Sequence, residues 1–150
     1  MLTLMDAHTS ALEGPARVIA LSVELLMGFS AVFGAYHLLN DPQAFGAKLS
    51  WLEGSLFPDY TIPGLYLGVV IGGGMAVAAV AAWRRSRHAA RAALLMGLVL
   101  LAWLAVETVI VGFRGWQQVP LLVVCGASGA VLVALGGHSL VGSSTKGSRR

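Results

Sequence analysis

The stretch Arg84-Arg85-Ser86-Arg87-His88-Ala89-Ala90-Arg91 holds four of the ten basic residues of this chain and separates two long apolar segments. Arginine is costly to move across hydrocarbon and against the membrane potential, so a block of this kind stays on the cytoplasmic side of a bilayer. Once this loop is placed inside the cell, every other segment of the chain has its side assigned.

The apolar segments are long enough to cross a membrane. The 150 residues are 57% hydrophobic and 11% charged, whereas soluble domains carry about 25% charged residues. Four segments reach the roughly 20 residues that a helix needs to cross the hydrocarbon core, namely residues 18–39, 63–83, 92–113 and 119–137. The sequence therefore predicts an all-α membrane protein, a single domain of four transmembrane helices in an antiparallel bundle, with a disordered tail at residues 138–150.

The distribution of basic residues predicts the orientation of the bundle. With the arginine loop inside, eight basic residues fall on the cytoplasmic side and two on the outer side. The eight are Arg17, Arg84, Arg85, Arg87, Arg91, Lys146, Arg149 and Arg150, and the two are Lys48 and Arg114. This bias predicts a multi-pass protein of a bacterial plasma membrane with both termini in the cytoplasm, whose net charge of +3 suits lipid headgroups rather than nucleic acid.

Small residues recur along two of the predicted spans. In the second span Gly64, Gly68, Gly72 and Ala76 follow one another every four residues, and in the fourth span Gly126 is followed by Ala130 and Ala134. Small residues at this spacing let a second helix backbone approach closely. The stripes predict helix packing, either within the bundle or in a homo-oligomer or larger membrane complex.

The connection between the first two spans carries its own pattern. Residues 42–57 mix aromatic and aliphatic side chains with Lys48 and Glu53, which predicts a short amphipathic segment at the outer interface. It leads into Asp59, Tyr60 and Thr61. Asp59 or Thr61 is expected to cap the second helix; alternatively, Asp59 and Tyr60 line an outward-facing site.

This connection also carries a resemblance. The string Trp51-Leu52-Glu53-Gly54-Ser55, followed by Phe57-Pro58-Asp59-Tyr60-Thr61-Ile62-Pro63-Gly64, resembles small, mostly actinobacterial four-span membrane proteins that look like the broad DoxX-like group. The resemblance implies the four-span architecture. It implies no activity and no site residues.

Two carboxylates lie within the predicted spans, where an ionised group is costly unless it is paired, protonated or hydrated. Glu24 and Glu107 differ by about 13 Å in height at 1.5 Å per residue, so they are not expected to share a proton. Glu24 lies on the same face as three small residues of the first span, Gly28, Ala31 and Ala35, so it should point into the bundle or an interface.

Other polar groups gather near the outer end. His37 is close in depth to Glu107, and Trp103 precedes Glu107 by one turn. Arg114 or Trp116 is a candidate contact for Glu107. The residues that we expect to bind a ligand are Glu24, Glu107, His37, Asp59, Tyr60 and Trp103. Each of them has an alternative structural role in packing, capping or interfacial anchoring.

Motifs for metal, nucleotide or nucleophilic chemistry are missing from the sequence, so no catalytic residue, metal or cofactor is predicted. Cys125 is the single cysteine, which excludes an intramolecular disulfide. Three functions stay open: binding or transport of a small hydrophobic or cationic ligand through the intramembrane carboxylates, a non-catalytic accessory subunit of a larger membrane complex, and a membrane enzyme that acts on a lipid at the outer face.

Overall fold

A computed structural model describes residues 12, 14–43, 46–112 and 118–147. Four long helices account for most of them: α1 (Gly14–Asn40), α2 (Thr61–Trp83), α3 (Ala89–Val111) and α4 (Val119–Gly147). Each is long and apolar enough to cross a bilayer. The prediction of an all-helical, four-span membrane bundle is confirmed.

The four helices form a ring in which chain neighbours also pack side by side. α1 lies against α2, α2 against α3, and α3 against α4 along much of its length, while α4 closes the ring with a smaller contact to α1. The core between them is built from small and flexible side chains, such as Ala20, Met75, Ala78 and Leu132. Large apolar side chains point outwards instead; Phe29 is 76% exposed and Val109 84% exposed. Outward-facing apolar side chains are what contact with lipid requires.

α2 is not a uniform α-helix. It consists of an α-helical turn (Thr61–Leu65), a π-helical segment (Tyr66–Gly73) and a second α-helical part (Gly74–Trp83). The wider turn rotates the following residues, so that Ala76, which continues the predicted stripe, is exposed and Met75 is buried in its place. π-Helical segments are rare and often occur at functional sites.

The predicted glycine stripe of α2 packs against α1. A methyl group placed on Gly64 would lie 3.0 Å from Leu39 Cδ2, one on Gly68 would lie 2.9 Å from Ala35 Cβ, and one on Gly72 would lie 2.8 Å from Val32 Cγ2. We call this contact the α1–α2 seam. Because its small residues are occupied within the bundle, they bring two helices of the same chain together.

The contact between α3 and α4 is closer still, and different small residues make it. A methyl group on Gly136 would lie 2.5 Å from the carbonyl oxygen of Ala90, and one on Gly97 would lie 2.8 Å from that of Gly129. Gly126 contacts α3 more loosely, since its methyl group would lie 3.6 Å from Leu104 Cδ2. Ala130 and Ala134, predicted to continue the stripe from Gly126, are exposed, because the face turned to α3 runs through Gly129, Leu132 and Gly136 instead.

The arginine loop is a tight turn, and we call this end of the bundle the arginine end. Ser86 N–H donates to Ala81 O (2.9 Å) and Arg85 N–H donates to Ala82 O (3.2 Å), a pair of bonds that closes helix α2. Arg85 takes the left-handed conformation that this motif requires (φ 53°), although glycine is the residue usually found there. The turn lets α3 begin at Ala89, three residues before the predicted span.

α4 continues past the predicted end of its span. Residues 138–147 were predicted as part of a disordered tail, but the structure places them in the helix, which ends at Gly147. Two features explain the extension: Leu140 packs against the core, and no proline follows Gly137 to stop the helix. At 29 residues α4 is about 43 Å long, so it exceeds the hydrocarbon thickness of about 30 Å.

The connection between α1 and α2 folds over the opposite end of the bundle, which we call the loop end. It contains one 3₁₀ turn, Leu49–Leu52, and a small cluster of buried side chains, Ala47, Leu52 and Tyr60. Phe45 of the predicted amphipathic segment lies outside the described residues. In the described part of the connection, Leu52 faces the bundle and is buried, while Leu56 is 95% exposed.

Candidate functional site

A cavity of about 450 Å³ lies in the half of the bundle nearest the loop end. Its walls are side chains of all four helices, and the connection between α1 and α2 covers part of it. Most of the lining is apolar, which is typical of pockets for small hydrophobic molecules. Its described lining residues include Met27, Ser30, Trp51, Ile71, Leu100, Trp103, Glu107, Leu121 and Cys125.

The α1 wall of the cavity is set by helical spacing. Met27, Ser30, Ala31, Gly34 and Leu38 recur at intervals of three and four residues, so they share one side of the helix. The α1–α2 seam uses a different side, which carries Gly28, Val32 and Ala35. Helix α1 can therefore pack against α2 through one side while it turns the adjacent side to the cavity.

Glu107 supplies the charge of this site. Among the described lining residues it is the one with an acidic side chain. It lies in α3 four residues before Val111, about 6 Å from the end of the helix, and its side chain is half-buried.

The floor of the cavity, at the end farthest from the lid, is formed by Met27, Ile71 and Leu100. Leu100 lies seven residues before Glu107, which is about 10 Å deeper in the bundle.

Trp103 forms part of the wall next to Glu107. Its ring stacks on Tyr66, with the ring centroids 4.7 Å apart and the planes 20° apart. Tyr66 is the first residue of the π-helical segment. The stack therefore joins α3 to the irregular part of α2, and it fixes one face of Trp103 while the residue still borders the cavity.

The loop end is held over the cavity by a long-range hydrogen bond. The Tyr60 hydroxyl donates to the backbone carbonyl of Lys48 at 2.8 Å. Ser55 adds a local contact, because its hydroxyl accepts a hydrogen bond from Phe57 N–H at 3.1 Å. Between these two contacts lies Trp51, whose side chain lines the cavity. We call residues 47–57 the lid.

Three of the six predicted ligand-binding residues, Glu107, Tyr60 and Trp103, line this cavity. His37 does not; its ring packs edge-on against Phe33 and Tyr36, with centroid distances of 4.5 and 5.5 Å. Arg114 and Trp116, the predicted contacts of Glu107, lie outside the described residues.

Asp59 lies outside the cavity and acts at the start of α2. Its Oδ1 accepts a hydrogen bond from the backbone N–H of Thr61, the first residue of the helix, at 2.8 Å. This bond lowers the pKa of the exposed Asp59 carboxyl. Asp59 precedes the N-cap residue, Tyr60, so this is an Asx-turn bond to the first N–H of the helix and not the N-cap bond that was one of its two expected roles.

Glu24 is separate from the cavity as well. It is fully buried, on the face of α1 that also buries Gly28, Ala31 and Ala35. Neither of its carboxyl oxygens has a hydrogen-bond partner among the described residues. Met27, one turn further along α1, is the floor residue of the cavity nearest to it in the chain, so Glu24 lies beneath the floor. A buried polar group without a partner is rare and calls for an explanation.

Sequence reasoning missed several lining residues, including Ser30, Trp51, Leu121 and Cys125. Cys125 could have been identified as a candidate from the sequence, because it is the single cysteine and lies within a predicted span. Ser30 and Leu121 carry no such signal, since whether they border a cavity depends on how far α1 and α4 separate.

Within the described part of the chain, no group of three or more His, Cys, Asp or Glu side chains could hold a metal ion. Comparison of the chain with models of known protein families, with curated proteins and with solved structures gave no match. The chain is a small multi-pass membrane protein with an apolar cavity and a carboxyl group toward the loop end of that cavity.

Proposed function

We propose that this membrane protein binds a small hydrophobic ligand with a cationic group, as the binding step of its transport or sequestration. One observation carries the proposal: a cavity of about 450 Å³ with apolar walls contains a carboxylate, Glu107, toward one end. Pockets that bind small molecules typically have volumes of about 300–1,000 Å³ and combine apolar walls with a few polar groups that orient the ligand.

The other two functions find less support in the geometry. An enzyme acting on a lipid through Asp59, Glu107 and His37 needs at least two of these groups at one cavity, and of the three Glu107 alone is among its lining residues. An accessory subunit was expected to dock a partner through small-residue stripes, but the stripe on α2, Gly64, Gly68 and Gly72, is occupied by α1. These observations favour ligand binding.

The binding proposal is tested with decylamine and its uncharged counterpart decanol. Trp51 and Trp103 both line the cavity, so binding to purified protein in nanodiscs should change the tryptophan fluorescence. Glu107→Gln should weaken decylamine binding by about 10- to 100-fold, since a hydrogen bond to a charged group contributes about 1.5–3 kcal/mol, and should leave decanol binding unchanged. Glu53→Gln, which removes an exposed carboxylate at the same end, is the control. Equal loss of both ligands in Glu107→Gln, or no saturable binding of decylamine, would refute the proposal.

We also propose that the arginine end faces the cytoplasm of a bacterial cell, with the lid outside. The excess of basic residues at the arginine end supports this orientation. Cysteines are introduced at Ser50 and at Ser86 in a Cys125→Ser background and treated in whole cells with a membrane-impermeant thiol reagent. Position 50 should react and position 86 should not. The reverse pattern would overturn the orientation.

A further inference from the structure

The gap between α1 and α4 at the loop end differs from the other helix contacts. α4 packs along α3 but touches α1 much less. Ser30 of α1 lies roughly 160° around the helix from Gly28, so it is on the side turned away from α2. Its side chain both lines the cavity and is exposed, and the same holds for Leu121 of α4, which is 49% exposed. The cavity is therefore partly open to the surface at both residues.

These exposed lining positions extend from near the membrane boundary, at Leu121, into the depth of the hydrocarbon, at Ser30. Ser30 is ten residues, or about 15 Å, from the loop end of α1, and Leu121 is about 3 Å from the start of α4. Next to Ser30 in sequence, Phe29 is 76% exposed, and Val109 on α3 is 84% exposed, so the surface around the bundle at these levels is apolar. A molecule that enters at the level of Ser30 therefore comes from the lipid rather than from water.

We propose that the cavity takes a single-chain cationic amphiphile, which enters sideways from the adjacent leaflet between α1 and α4. The proposal rests on the proposed function and specifies its ligand class and route. The polarity of the cavity matches such a molecule: Glu107 lies near the membrane boundary, where it faces a cationic headgroup, and the apolar floor of Met27, Ile71 and Leu100 lies about 10 Å deeper, where it receives the chain.

The size of the cavity decides between lipids with one chain and lipids with two. A volume of about 450 Å³ is at the lower end of the range for small-molecule pockets, which suits one chain and its headgroup. A phospholipid with two acyl chains would have to leave one chain outside. It would then act as a boundary lipid rather than as an enclosed ligand.

The test uses Trp103 as a reporter inside the cavity, in a background in which Trp51, Trp83 and Trp116 are replaced by phenylalanine. The protein is placed in phospholipid bilayers, and its fluorescence is followed after addition of dodecylamine brominated at the end of the chain, because bromine quenches tryptophan on contact. The amine should quench Trp103 saturably, and phosphatidylcholine with brominated chains at the same bromine content should quench it much less. Equal quenching by the two probes would overturn the single-chain assignment.

The route is tested by adding bulk at the opening. In the single-tryptophan background, Ser30→Phe on α1 and Leu121→Phe on α4 should each slow quenching by about tenfold or more, because the added ring narrows the access path. Leu26→Phe, which adds an aromatic ring on the lipid-facing side of α1 one turn away, should leave the rate unchanged. Unchanged rates in both opening variants would overturn sideways entry. Loss of saturable amine quenching in the parent protein would instead refute the proposed function itself.

Discussion

Gly28 in α1 and Gly72 in α2 bring the two helix backbones together reciprocally: a methyl group placed on Gly72 would lie 3.6 Å from the carbonyl oxygen of Gly28, and one placed on Gly28 would lie 3.7 Å from that of Gly72. The contact lies within the π-helical segment of α2. The two glycines directly follow Met27 and Ile71 in the chain, so they pack α1 against α2 at the level of the cavity floor. The seam therefore determines where that floor is formed.

The α1–α2 seam should tolerate no added bulk. We expect Gly72→Leu to lower the free energy of unfolding by about 1–3 kcal/mol or more, because the new side chain meets Val32 and the α1 backbone. Gly73→Ala is the matched control: its methyl group meets nothing within 4 Å, and loss of a helical glycine should be neutral or gain up to about 1 kcal/mol. Thermal unfolding in mild detergent measures both. Val69→Leu, at an exposed position, should also be mild.

The α3–α4 contact offers a second adjacent pair of glycines. Gly136→Ala should destabilise the bundle by about 1–3 kcal/mol, because its methyl group would meet backbone atoms of Ala90 and Leu94 that cannot rotate away. Gly137→Ala adds the same group to open space and should be neutral or slightly stabilising. Thermal unfolding of the two variants side by side gives the comparison. Equal midpoints would show that α3 and α4 are not in this close contact.

Hydropathy predicted the four spans because it measures which residues can lie in hydrocarbon. It could not place the helix ends, since a helix continues beyond the membrane wherever backbone hydrogen bonds and packing allow; α1 begins at Gly14 and α4 ends at Gly147 for this reason. The sequence also left open which face of α4 packs against α3. Gly126, Ala130 and Ala134 form a small-residue stripe as regular as the face that packs, and nothing in the sequence alone chooses between them.

The buried face of α1, with Glu24 beside Gly28 and Ala31, followed from helical spacing. The cavity could not be predicted from helical spacing, because its volume depends on how far the four helices diverge at the loop end and on the fold of the lid. His37 illustrates the difference: its depth in the membrane is close to that of Glu107, but its side of the helix faces away from the cavity lining. Membership in the DoxX-like group remains a prediction.

Arg85 closes α2 in a conformation that costs a non-glycine residue about 1–2 kcal/mol. We therefore expect Arg85→Gly to stabilise the bundle by about 1 kcal/mol. Arg84→Gly removes the same charge at the neighbouring position, where φ is −75°, and should be neutral or destabilising by about 0.5–1 kcal/mol. Chemical unfolding of both variants separates the backbone effect from the charge. A loss of stability in Arg85→Gly would show that the arginine side chain itself contributes.

The hydrogen bond of Asp59 should make the free energy of unfolding depend on pH. The Thr61 N–H bond lowers the pKa of the folded-state carboxyl, so its contribution is complete above the pKa of the unfolded chain and is lost as the pH falls through the lowered folded-state value. The difference in stability between the wild type and Asp59→Ala should therefore shrink as the pH is lowered through that window. Asp59→Asn, which keeps an acceptor oxygen without the charge, should fall between the two. A difference that does not change with pH would contradict the assignment.

Glu24 poses the sharpest question, because its side chain is fully buried and its oxygens have no hydrogen-bond partner among the described residues. The described side chains buried on the facing part of α2, Met75, Ala78, Ala79 and Ala82, are all apolar. Burying a polar group without a hydrogen-bond partner costs about 1–3 kcal/mol, so an apolar side chain of similar size should be neutral or stabilising here. If Glu24 served packing alone, leucine would serve better at this position.

We therefore expect Glu24→Leu to be at least as stable as the wild type and Glu24→Gln, nearly isosteric, to fold normally. Because Glu24 lies beneath the cavity floor, neither change should alter equilibrium binding of decylamine, whereas Glu24→Gln should impair uptake of the amine into proteoliposomes. The two assays separate the roles: a Gln variant that binds and transports like the wild type would leave Glu24 a purely structural residue. A Leu variant destabilised by several kcal/mol would instead reveal a polar partner for the carboxyl beyond the described residues.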